Sequence, residues 1–185
     1  DICGLVLKII LWNGQPYFEL GTIASFEEQK EQIRALACSH KQTKSRVGGK
    51  DVSVIGSKIS KAYKLISKKN LSGYGLLEFE RWLYDNNLLD DIIFDVSEKM
   101  RRIPALPAAG DRSRIYELIG KIVRLNGGQL EQERLKDLLD VYQRDCPLTF
   151  DECANIKAVI DYCLLEYAAV ISMKSITSNK NNNLL

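Results

Sequence analysis

From Ser25 onward the apolar positions of this chain recur at helical spacing. Ser25 with Glu28 has the serine-to-glutamate spacing of a capping box, and Ile33, Leu36 and Ala37 carry an apolar stripe from there to about His40. Residues 41 to 50, ending Arg46-Val47-Gly48-Gly49-Lys50, read as a basic glycine-containing loop, after which Ile55, Ile59, Tyr63 and Ile66 predict a second helix with Asp51 as its N-cap. A third segment places Leu76, Phe79 and Leu83 on one face. It pauses at Asn86-Asn87, then resumes through Leu89, Ile92, Ile93, Val96 and Met100 until Pro104 and Pro107 end it. Asp111 is the expected cap of the next helix, where Ile115, Leu118, Ile119, Ile122 and Val123 run until Asn126-Gly127-Gly128. Leu135, Leu138, Leu139 and Tyr142 repeat the pattern, as do Ile156, Val159, Ile160, Cys163, Leu164 and Tyr167.

The first residues read differently. Leu5-Val6-Leu7-Lys8-Ile9-Ile10-Leu11-Trp12 is apolar on both faces but far short of the roughly twenty residues that a membrane span needs. Asn13-Gly14 and Tyr17-Phe18-Glu19-Leu20 follow, which predicts a short hairpin around a type I′ turn, buried on both sides. The expected fold is therefore all-α, a bundle of about six to seven helices with a short N-terminal β-hairpin. Residues 1–24 form the apolar segment, 25–173 the helical domain, and 174–185 a disordered tail or linker.

Composition narrows the function class. At 185 residues, 45% hydrophobic and 27% charged, the chain can bury a core without disulfides, and its net charge of +2 names no partner. Cys3, Cys38, Cys146, Cys153 and Cys163 are odd in number and never spaced as CxxC, the usage of thiols in a reducing compartment. No signal-peptide pattern is visible, and a chain beginning at Asp1 is read as a piece of a longer protein.

Candidate chemistry is sparse. Tyr142-Gln143-Arg144-Asp145-Cys146-Pro147-Leu148-Thr149-Phe150-Asp151-Glu152 holds nearly every side-chain type that catalysis favours. It also holds every signal for a joint between helices. Tyr142 closes one stripe, Pro147 ends that helix, Thr149 with Glu152 makes a second capping box, and Leu148 is placed to staple against Cys153. The joint reading is favoured, because acid–base catalysis needs carboxylates facing one cleft and nothing here supplies it. Asp90, Asp91, Asp151 or Glu152 in a deep pocket would reverse that choice. His40, the only histidine, reads as a surface residue at a helix end. Cys153 and Cys163 lie about 280° apart around a helix and cannot share a metal within it. No metal site, cofactor or catalytic residue is expected. Between Lys41 and Lys69 the sole acid is Asp51, and Lys58, Lys61, Lys64 and Lys68 form one basic face. Such a face fits nucleic-acid phosphates or an anionic membrane surface. Without stacking aromatics or more arginine, nucleic acid is disfavoured and a solvated surface is the default.

Several blocks resemble, in order, the N-terminal helical region of cyclic β-1,2-glucan synthases and related phosphorylase-like proteins. Trp82-Leu83-Tyr84-Asp85-Asn86 is similar to the family's WLLDN. Ser113-Arg114-Ile115-Tyr116-Glu117-Leu118 after Leu106-Pro107 resembles its LP and PRVYALA elements. Tyr142-Gln143 with Pro147-Leu148-Thr149 and Glu152 resembles its YQ and PLTLGELWA joint. The likeness spans roughly residues 26 to 170. It departs where ELWAIP becomes Glu152-Cys153-Ala154-Asn155-Ile156-Lys157 and where a later arginine becomes Asp161.

The resemblance implies a non-catalytic accessory domain on the cytoplasmic face of the inner membrane. It would organise or regulate the adjacent catalytic domain of a parent glycosyltransferase that moves glucose from UDP-glucose to a β-1,2-glucan. It singles out Trp82, Asp85, Asn86, Arg114, Tyr116, Tyr142, Gln143 and Glu152 as an interhelix network, or alternatively as a glucan contact, since tryptophan and tyrosine can also stack on sugars. A free-standing helical adaptor and a basic-face nucleic-acid module remain as alternatives.

Overall fold

The computed structural model describes residues 24–41, 45–73, 81, 84 and 89–181, with side chains as far as Met173. Among them lie α1 (Phe26–His40), β1 (Ser45–Val47), α2 (Ser53–Leu71), α3 (Leu89–Arg101), β2 (Leu106–Ala109), β3 (Arg112–Ser113), α4 (Arg114–Leu125), α5 (Gln132–Asp145) and α6 (Phe150–Asn181). The architecture is a helical bundle with a small three-stranded antiparallel sheet. The expected hairpin at 1–24 and the stripe Leu76, Phe79, Leu83 lie outside the described residues.

Two helices form the centre. In α4 the buried set Arg114, Ile115, Tyr116, Leu118, Ile119, Gly120, Ile122 and Val123 covers most of the circumference. In α6 every side chain from Val159 to Leu165 is buried. Helices apolar nearly all round must be surrounded. They pack on one another, α1 packs on α4 and α5, and α2 and α3 pack on α6. The outer helices bury single stripes, Ile33 and Ala37 on α1 and Ile55, Ile59, Ala62 and Ile66 on α2. That is the 3.6-residue periodicity read from the sequence.

Helix ends follow local chemistry. The Ser25–Glu28 capping box is present in both directions, Glu28 N–H donating to Ser25 Oγ at 3.3 Å and Ser25 N–H to Glu28 Oε2 at 2.7 Å. Gly127 and Gly128, at φ 59° and 82°, stop α4, and Gly128 N–H donates to Val123 O at 2.8 Å. Asp51 is not the N-cap of α2 as expected: Val52 holds that position without a side-chain cap, and Asp51, one residue earlier, accepts from Ser53 N–H at 2.9 Å.

Three further expectations change. Asp111 does not cap α4. With Gly110 at φ 73° it forms the turn of a hairpin that pairs Ala109 with Arg112 and Ala108 with Ser113, and α4 starts directly after that strand. The basic stretch before Lys50, read as a loop, contributes β1, which pairs Ser45 with Ala108 and Val47 with Leu106. A three-residue strand is too short to show alternation. α6 continues to Asn181, so the first part of the stretch read as a tail is helical.

Candidate functional site: a buried joint and a cationic cleft

The turn from α5 into α6 is held by one arginine from α4. Arg114 donates from Nε to Glu152 Oε1 at 2.8 Å and from Nη2 to Glu152 Oε2 at 2.7 Å, a bidentate pair. Nη2 also donates to Pro147 O at 2.8 Å, and Nη1 reaches Cys146 Sγ at 2.9 Å. Glu152 is fully buried. It closes the expected capping box, accepting from Thr149 N–H at 2.8 Å while its own N–H donates to Thr149 Oγ1 at 3.3 Å. Burial pushes the Glu152 carboxyl up, but the Arg114 guanidinium and the Thr149 N–H outweigh it and hold the group below the ordinary carboxylate value.

Tyr142 extends the network. Fully buried, it meets His40 Nδ1 through its hydroxyl at 2.8 Å, and the two rings pack edge to face. His40 Nε2 lies 2.9 Å from Glu117 Oε2. A carboxylate only accepts, so Nε2 carries the proton toward Glu117. Burial raises the Tyr142 phenol, reinforced by Cys146. His40 is thus an interior residue at 1% exposure, not the surface residue expected. Its partners lie on α4 and α5, far away in sequence, and helix-end position alone gave no hint of them.

The other singled-out residues separate. Tyr116 is buried, packs edge to face on Tyr162 at 5.5 Å and donates to Met100 Sδ at 3.6 Å, with burial raising its phenol. Gln143 is half-buried and Arg144 is exposed. Asp151 pairs with Arg46 on the outside at 3.1 Å, and Asp90 and Asp91 are exposed. Tyr142, Arg144 and Asp151 therefore do not share a hollow. Trp82, Asp85 and Asn86 lie outside the described residues, while Tyr84 of the same block stacks on Tyr63 at 5.9 Å. The staple is replaced: Leu148 packs on the main core and Cys153 is exposed. Lys58, Lys61, Lys64 and Lys68 are all exposed on α2. Among the described residues no group of three or more His, Cys, Asp or Glu is placed to hold a metal. Nor is any described helix long and apolar enough to cross a membrane.

A concave site that sequence reasoning missed lies between α4, α6 and the hairpin. One lobe, about 210 Å³, is lined by Lys50, Arg112, Lys121, Arg124, Glu117 and Glu166 above the buried Tyr116, Tyr162 and Cys163. A second lobe, about 370 Å³, shares Arg112, Arg124, Cys163 and Glu166 and adds Lys58. Two glycines shape it. A Cβ on Gly120 would stand 3.2 Å from Arg124 Nη1, so the glycine lets that guanidinium fold back over its own helix. A Cβ on Gly49 would collide with Met100 O, so only glycine lets the chain entering Lys50 pass this close to α3. A glycine in the middle of α4 was the legible signal, since it costs about 1 kcal/mol relative to alanine there.

Comparison of the chain with protein-family models, curated proteins and solved structures returned no match.

Proposed function

We propose that this chain is a non-catalytic helical accessory domain that holds and orients a neighbouring catalytic domain, in a glycosyltransferase of the cyclic β-1,2-glucan synthase type. One observation carries the reading. Two polar residues from separate resembling blocks, Arg114 and Glu152, saturate one another inside the protein, with Tyr142 bonded beside them. Groups so completely engaged in closing a helix joint are not available for proton transfer or for contact with a sugar. The order of the blocks along the chain supports the transferase context, since Arg114 on α4 and Glu152 on α6 belong to separate blocks and meet in space.

The test is a turnover assay on the chain with UDP-glucose and a β-1,2-gluco-oligosaccharide acceptor, read by mass spectrometry. The expected result is neither glucosyl transfer nor hydrolysis, together with co-elution of the chain with a transferase domain of this family. Turnover that persists through purification would end the non-catalytic reading. Failure to co-elute would end the transferase context and leave the adaptor alternative.

A further inference from the structure

We infer that the cleft between α4, α6 and the β2–β3 hairpin is a binding site for a phosphorylated small molecule, its phosphate held by Arg112 and Arg124. The site is independent of the transferase reading. Across its two lobes Lys50, Lys58, Arg112, Lys121 and Arg124 face only two carboxylates, Glu117 and Glu166. Glu117 is already engaged by His40. Several cations elsewhere are paired, Lys41 with Asp145, Arg46 with Asp151, Lys99 with Asp95 and Asp161, and Arg114 with Glu152. Others, such as Lys61, Lys64 and Lys68, stand spread out and exposed on α2 rather than gathered in a concavity. Among the described residues none of the five cleft cations forms an ion pair. Like charges crowded into a concavity, with no counter-charge from the protein, raise the local potential for an anion.

The geometry selects the kind of anion. Arg112 and Arg124 line both lobes, and a guanidinium presents a planar fork that fits phosphate oxygens in pairs. Lobes of about 210 and 370 Å³ match a small organic molecule, not a polymer lying along a surface. Gly120 explains itself on this reading. Its missing side chain lets the Arg124 guanidinium lie down over α4 at the wall of the cleft, whereas a purely structural helix would favour alanine.

Isothermal titration calorimetry of the full 185-residue chain with inorganic pyrophosphate, and separately with uridine diphosphate, at near-physiological salt tests this. Saturable one-to-one binding is expected, weakened about tenfold or more by R112A and by R124A, each of which removes charge-assisted hydrogen bonds. R124K retains the charge but loses the fork, and should fall between R124A and the parent. Gly120→Ala is expected to weaken binding with the thermal midpoint kept or raised, a split that a merely structural glycine would not give. Lys64→Ala and Lys68→Ala, on the outer face of α2, should leave affinity within about twofold, because exposed charges beyond the cleft are screened. Absence of saturable binding overturns the proposal. So does an equal loss in the outer-face variants, which would mean diffuse attraction without a site. If R124A fails to fold, R112A and R124K decide the matter alone.

Discussion

Glu152 and Asp161 lie on the same helix, both fully buried, and each meets a cation from another helix, yet the two sites are built differently. At Glu152 both oxygens accept from a guanidinium fork, and Thr149 adds its N–H and hydroxyl. At Asp161 one oxygen accepts from Lys99 at 3.1 Å while Oδ1 has no hydrogen-bond partner. Lys99 divides its charge, forming an ion pair with Asp95 at 2.8 Å as well, and remains a third exposed. Burial lowers its ammonium, and the two aspartates more than reverse this. The difference lies in the donor. A fork bonds both oxygens of a carboxylate in one plane, whereas an ammonium on a flexible stem acts as a point charge.

The largest expected effect follows from the first site. Arg114→Ala or Glu152→Ala should each cost about 3–5 kcal/mol in urea unfolding, because the surviving partner is left charged and buried. The double variant should cost much less than the sum of the two single ones. An additive result would mean that the pair is not coupled and that the joint is held by packing alone.

The same site sets an acid limb. The folded-state value of Glu152 lies below its ordinary 4.5. Its contribution is therefore complete above that value and is lost as pH falls through the lower folded value. Glu152→Gln should show a shallower fall in stability below about pH 4.5 than the parent chain. An unchanged acid slope would remove Glu152 as a source of acid lability.

His40→Ala sharpens the comparison on the saturated side. It leaves the buried Tyr142 hydroxyl without its 2.8 Å partner, and about 1–3 kcal/mol should be lost. Tyr142→Phe should cost a comparable amount, since it takes the 2.8 Å partner from the buried His40 Nδ1. Asp161→Ala is expected to change stability by about 1 kcal/mol or less, because Lys99 keeps Asp95 and its access to water while an unsatisfied buried oxygen disappears. A loss as large as that of Glu152→Ala would show that the two sites are equivalent after all. The smallest effect concerns thiols. In the native state Ellman's reagent should label Cys38 and Cys153, but Cys146 and Cys163 only after unfolding, with burial pushing the Cys163 thiol up.

The helices and their stops were legible from the chain. Serine and threonine caps, paired glycines at 127 and 128, and apolar residues at helical spacing all act within a few residues, and local chemistry is what a sequence displays. The small sheet was not, because its strands of two to four residues are too short to carry a period and their pairing joins segments far apart. Of the joint, the Thr149–Glu152 box could be read, and the Arg114 fork could not. The cleft left only Gly120 as a trace, since its cations come from a loop, a hairpin and two helices.

The sequence by itself determined where most of the described helices lie, that Asn126-Gly127-Gly128 stops α4, and that the stretch from Tyr142 to Glu152 is a bend between helices, because each of these is decided by interactions across one or two turns. Only the tertiary structure decided that Arg114 saturates Glu152, that His40 is interior, and that five cations share one hollow. Those facts depend on which faces meet across the core, and that is a property of packing that no local spacing encodes.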